Sequence, residues 1–258
     1  MPFVEDQTHL SIKNILLDAQ VSEFSRAIVP CVLGLAQRYG STMSLANLTS
    51  AAAICEIAQS RQADLLVIGT DKLQLRNPDA GSTIEEILRT APCPVLIIGP
   101  EVTHREHAKF VLERIAYVTD FSTSSLDALP YALALALDND AKLTLVHIAQ
   151  ETTTGPFHYG DSRSVAFRKR LESLIPATGT LLAESEFVVG NGDRTEGLVR
   201  VAVNLNASLI VVSARGTPAK TSAPMLWPIV GQVVWRAPCP VLIVRADRLN
   251  ILGRRRHE

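Results

Sequence analysis

Thr90-Ala-Pro-Cys-Pro-Val-Leu-Ile-Ile-Gly99 is answered near the end of the chain by Arg236-Ala-Pro-Cys-Pro-Val-Leu-Ile-Val-Arg245. Such repetition is read first, because it sets how many structural units the chain contains. Working outward, an offset of 100 places Ile15 on Ile115, Ser22 on Ser122, Pro30 on Pro130, Ala36 on Ala136 and Leu48 on Ile148. From Ser50 to Thr70 the first copy matches Arg194 to Ala214 at an offset of 144, and the two quoted segments lie 146 apart. The first two offsets differ by 44 residues, which the second copy carries and the first lacks between Leu48 and Ser50. The chain is a tandem repeat whose first copy has lost an internal piece.

Composition narrows the function classes. A length of 258 residues suits two modules, each large enough to bury a core. Apolar residues make up 47% of the chain but aromatics only 5%, which points to aliphatic packing of helices on a sheet. A formal charge of -1 argues against a nucleic-acid binder, which needs a concentrated basic face. The Arg254-Arg255-Arg256 run reads as a solvated end. Met1 to Leu10 contains acids and no apolar core, and apolar runs such as Ala132 to Leu137 fall far short of the roughly 20 residues needed to span a bilayer. A cytoplasmic protein with no membrane or nucleic-acid partner is expected. Cys31, Cys55, Cys93 and Cys239 form neither a Cys-x-x-Cys pair nor a secreted disulfide framework. Cys93 and Cys239, both held between prolines, read as small buried residues.

The second copy alternates strand and helix. Strands are expected at 115–119, 142–148, 186–190, 207–212 and 240–244, with helices at 122–138, 162–174, 195–205 and 228–236. This alternation predicts a parallel sheet covered by helices, and the near-continuous apolar run at 207–212 fits a strand buried on both faces. The first copy repeats the plan at 14–17, 25–39, 42–48, 51–60, 65–69, 82–90 and 95–98, without the middle helix and strand. Its sheet should have about four strands. The expected modules are 10–100 and 110–247, joined by a linker at Pro100 to Lys109. Pro30 and Pro130 fall inside expected helices, where a bend or a first-turn placement would relieve the lost hydrogen bond. His104 and His107 in the linker have metal-ligand spacing but no third ligand, and read as solvated.

These segments resemble the universal stress proteins. The resemblance rests on Ile115-Ala-Tyr-Val-Thr-Asp-Phe-Ser122, the alanine-leucine helix after it, Leu143-Thr-Leu-Val-His-Ile148, Ala207-Ser-Leu-Ile-Val-Val212 and the two Ala-Pro-Cys-Pro-Val-Leu-Ile strands. It covers nearly the whole chain as two modules. What it implies is an α/β fold of two tandem open parallel-sheet modules, each of the adenine-nucleotide alpha-hydrolase-like, Rossmann-like type. It also implies an ATP site in many members: an aspartate after the first strand, an aliphatic residue ending the second, and a G-x2-G-x9-G-[ST] loop after the fourth. Glycines in such a loop let backbone N–H groups approach phosphate oxygens at a helix N-terminus.

Neither copy matches that set in full. In the second copy Asp120, Ser122, Ile148 and Gly216 match, but Ser213 stands at the first glycine position and Trp227-Pro228 at the last pair. In the first copy Gln20 holds the aspartate position, with Asp18 out of register. There Gly69 is kept, Lys72 replaces the second glycine, and Gly81-Ser82 come one residue early. Helix capping explains the remnants equally well: Asp120 and Ser122 before one helix, Ser82 with Glu85 as a capping box before another. His147 reads as a packed residue of an alternating strand. No Gly-x-Ser-x-Gly elbow or acid-base pair organises a catalytic centre.

Two functions remain as expectations. One is a non-catalytic stress protein without cofactor or metal, its modules joined as an intramolecular pseudo-dimer through Val95 to Ile98 and Val241 to Val244, acting through protein partners, homo-oligomers or weak ligand binding. The alternative is an ATP/AMP-binding sensor with a divergent site and slow hydrolysis, using Asp120, Ser122, Ile148, Gly216, Gly69, Gly81 and Ser82.

Overall fold

The computed structural model describes residues 9–18, 23–46, 50–70, 78–103, 111–149, 161–175, 185–214 and 226–245. Along the first copy run β1 (Asn14–Asp18), α1 (Glu23–Tyr39), β2 (Thr42–Ala46), α2 (Ala51–Ser60), β3 (Leu65–Gly69), α3 (Pro78–Thr90) and β4 (Val95–Ile98). A short α4 (Pro100–Thr103) follows. The second copy runs β5 (Arg114–Val118), α5 (Thr123–Asn139), β6 (Lys142–Ala149), α6 (Ser162–Glu172), β7 (Glu186–Asn191), α7 (Arg194–Asn204), β8 (Leu209–Ala214), α8 (Leu226–Arg236) and β9 (Val241–Arg245). The offset of 100 carries β1 onto β5 and α1 onto α5 residue for residue, and α6 with β7 is the unit that the first copy lacks.

The nine strands of the described residues form one sheet in the order β2-β1-β3-β4-β9-β8-β5-β6-β7. Pairing within each copy is parallel; β4 and β9 alone run antiparallel among these pairs, joining the copies into one sheet as the family resemblance implies. Their register sets Val95 opposite Ile243, Leu96 opposite Leu242 and Ile97 opposite Val241. With both neighbours paired, these four- and five-residue apolar strands present no open edge.

Helices cover both faces, and each face buries a core that runs through both copies. One holds Ile28, Val32 and Leu35 of α1, Ala132 and Leu135 of α5 and Leu171 of α6. The other holds Ile54 of α2, Ile87 of α3, Leu198 and Val201 of α7 and Val233 of α8. Cys93 and Cys239 lie in this second core outside any disulfide, and burial pushes the Cys93 thiol up to about 12. The ends of α1 and α5 also meet. Arg38 donates to the Asp138 carbonyl and Asn139 Nδ2 to Tyr39 Oη at 3.0 Å, each contact linking residues 100 apart.

Local chemistry sets the helix ends. Ser50, Ser122, Asp161 and Asp193 cap α2, α5, α6 and α7 by accepting from backbone N–H groups of the first turn. After α1 and α5 the chain turns left-handed at equivalent positions, Gly40 (φ 61°) and Asp140 (φ 50°).

Three expectations need correction. Pro30 and Pro130 lie well inside α1 and α5, which excludes the first-turn placement, one of the two alternatives expected. The expected linker begins as helix: Pro100 and Val102 are buried, because α4 packs between α1 and α8. Helix α3 starts at Pro78, so Ser82 is not its N-cap and the capping-box reading of Ser82 with Glu85 fails. His104 and His107 lie outside the described residues.

Candidate strand-end site

In an open parallel sheet, ligands collect at the carboxyl ends of strands where the order reverses. Here β1 lies between β2 and β3, and β5 between β6 and β8, so each copy has one such crevice. Asp120 and Ser122 follow β5, Ile148 lies near the end of β6 and Ser213 near the end of β8, which brings them to the second crevice. Gly69 ends β3 at the first crevice. Gly81 and Ser82 sit within helix α3 rather than in a loop before it. Gly216, Gln20 and Lys72 lie outside the described residues.

Each remnant in the second crevice has a structural partner. The Asp120 carboxylate accepts the Ser122 backbone N–H at 2.9 Å, and the Ser122 hydroxyl accepts that of Ser125 at 3.3 Å. Between them Phe121 takes a left-handed φ of 60°, unusual for a residue with a side chain, and its N–H donates to Thr119 Oγ1 at 2.9 Å. Thr119 Oγ1 also shares a hydrogen bond of 2.9 Å with Ser125 Oγ, while the Tyr117 hydroxyl donates to the Ser125 carbonyl. Ser213 Oγ donates to the Ser124 carbonyl at 2.7 Å, tying the end of β8 to the first turn of α5 across the crevice. Ile148 is buried beneath Gly190 and Gly197, where an added Cβ would stand 2.7 and 3.0 Å from its methyl groups.

An aromatic cluster flanks this turn. His147 packs against Phe121 and Phe167 at centroid distances of 4.6 and 4.5 Å, and the Arg170 guanidinium lies 4.2 Å from the Phe121 ring centre. His147 Nδ1 lies 2.9 Å from the Thr119 carbonyl, which can only accept, so Nδ1 carries the proton. Burial lowers the pKa of the ring and keeps it neutral, against the Thr119 hydrogen bond and Asp120, which raise it. The Ser125 and Ser213 hydroxyls donate to the Ser122 and Ser124 carbonyls, and His147 Nδ1 to that of Thr119, so these three protons are held by backbone.

The sequence marks Asp120, Ser122 and Ser213, and reads His147 correctly as a packed strand residue. It does not mark Phe121, Phe167 and Arg170 as one cluster. They come from a turn and from α6, and no short-range spacing connects them.

In the first crevice Thr70 follows Gly69, fully buried, its N–H donating to the Ile98 carbonyl at 3.0 Å. Its hydroxyl has no hydrogen-bond partner among the described residues.

The sequence matches the profile of the universal stress protein family over residues 40–99 and 112–245, well over half the chain. The chain belongs to the universal stress protein family. It is similar to the universal stress protein YxiE of Bacillus subtilis (strain 168), 29% identical over 141 residues, which cover 49% of this chain and 93% of that protein. A crystal structure of a universal stress protein from Archaeoglobus fulgidus DSM 4304 superposes with a TM-score of 0.67 at 16% identity, over 92% of this chain and 98% of its own. A second, assigned to the same family in Pseudomonas aeruginosa UCBPP-PA14, gives 0.58 at 15% identity over 92% and 95%. At these identities the two structures speak to the fold of this universal stress protein alone. No described helix is long and apolar enough to cross a membrane.

Proposed function

We propose that this universal stress protein is a non-catalytic member that acts in stress response through partner or weak ligand binding, with modules at 10–100 and 110–247. The observation that carries the reading is the Ser213 to Ser124 hydrogen bond, which lies across the second crevice where the family loop has its first glycine. A serine side chain bonded there occupies space that a glycine would leave to a phosphate. The engagement of Asp120 and Ser122 in the turn before α5 supports the same reading.

The second reading is an ATP/AMP sensor that retains Asp120, Ser122, Ile148 and Gly216 in one copy and Gly69, Gly81 and Ser82 in the other. The exposure of Asp120 at the mouth of its crevice favours it. Mass spectrometry of small molecules released from the purified protein, followed by calorimetric titration with ATP and AMP, separates the two. No copurified nucleotide and no heat at millimolar nucleotide is the expected result. Copurified nucleotide that disappears in Asp120→Ala would establish the sensor.

A further inference from the structure

The lost helix-strand unit leaves a scar at the sheet edge. In the second copy β6 is flanked by β7, and Leu145 and Leu133 are 0% and 1% exposed. Their repeat equivalents, Leu45 of β2 and Leu33 of α1, are 57% and 43% exposed. Strand β2 ends the sheet and has no partner on its outer side among the described residues. The Thr42 N–H donates to the Lys13 carbonyl at 2.7 Å, so Thr42, Ser44 and Ala46 turn their backbone groups to β1 while Met43 and Leu45 turn theirs outward. The Arg61 guanidinium, 3.2 Å from the Leu45 carbonyl, caps one of these outward groups.

Sheet edges that stay open are usually guarded by lysine, proline or a bulge. Strand β2, Thr-Met-Ser-Leu-Ala, has no charge and no proline. We propose that its outer edge pairs with β2 of a second copy of this chain, antiparallel and centred on Ser44. The strand is self-complementary in that register. Met43 of one copy meets Leu45 of the other twice, each pair exchanging two backbone hydrogen bonds, and no like charges meet on the strand. The carbonyl of Leu45 has a second lone pair, so the Arg61 cap can remain. Both Leu45 side chains, 57% exposed in the single chain, leave water on one face. The chain already joins its two copies in this manner, because β4 and β9 pair antiparallel about Leu96 and Leu242.

The test uses the full chain. Sedimentation equilibrium should give twice the chain mass of 28.0 kDa for the native protein and a single mass for Leu45→Lys, whose circular dichroism spectrum should match the native one. In the proposed register Ser44 faces its own copy in a non-hydrogen-bonded pair, where the side chains come closest. Oxidised Ser44→Cys should therefore run as a covalent dimer on a non-reducing gel, whereas Thr42→Cys, facing Ala46 of the other copy, should not. A monomeric native protein, a dimer that survives Leu45→Lys, or equal cross-linking at both positions would overturn the proposal.

Discussion

Leu96 of β4 faces Leu242 of β9 across the antiparallel seam, and the two are the same position of the repeat. The local dyad of the molecule passes between them, so each sees the environment of the other. Both are 3% exposed in a core that runs through both copies. Leu96→Ala and Leu242→Ala should each cost about 2–5 kcal/mol, with a double variant that departs from additivity. Guanidinium unfolding should show one transition for the whole chain. Two separate steps, only one of them moved by Leu96→Ala, would contradict a shared core.

Gly99 closes β4 under the backbone of α8. A Cβ built there lies 2.1 Å from the Val234 carbonyl oxygen, a rigid atom that cannot turn aside. Gly99→Ala should force β4 and α8 apart and lower the melting temperature far more than Gly40→Ala. At Gly40 a Cβ meets nothing within 4 Å. The left-handed backbone there costs an alanine about 1 kcal/mol.

If Asp120 and Ser122 serve the turn before α5, their substitutions should register in stability without any ligand. Ser122→Ala should cost about 1 kcal/mol. Asp120→Asn, which keeps an acceptor oxygen, should cost less than Asp120→Ala. Urea denaturation of the three variants checks this, and three unchanged midpoints would remove the structural role.

His147 gives the fold a pH dependence of definite sign. Its pKa is lowered by burial, so below about 6.5, the ordinary histidine value, the unfolded chain takes up a proton that the folded chain refuses. The stability contributed by the neutral ring is therefore complete above that pH and is lost as pH falls toward the depressed folded value. The urea midpoint should drop between pH 7 and pH 5. His147→Phe should flatten part of that drop, and an identical slope in the variant would assign the effect elsewhere.

The offsets of the repeat made most of the architecture legible. An offset of 100 through Leu48 and one of 144 after Ser50 place the missing unit where the structure has α6 and β7, and the family resemblance implies the seam at β4 and β9. Less legible was anything set by packing between distant segments. Pro100 and Val102 read as linker because neither residue reveals that α1 and α8 will enclose them. The start of α3 at Pro78 overrides a capping signal at Ser82 that is locally sound. At the strand-end crevice, motif positions identify Asp120 and Ser122. The cluster around His147 depends on Phe167 and Arg170, brought there by α6.

The contacts between α1 and α5 show what covalent fusion permits. In an assembly of two identical chains, a residue on the symmetry axis can only meet itself, so Arg38 would confront arginine and Tyr39 tyrosine. Here the same places hold Arg38 donating to the Asp138 backbone carbonyl, and Asn139 donating to the Tyr39 hydroxyl, the second a bond between unlike side chains. Joining the copies lets the axis be built from unlike halves of a bond. Each substitution then appears once per molecule instead of twice, which allows one side to change without imposing the same change on the other.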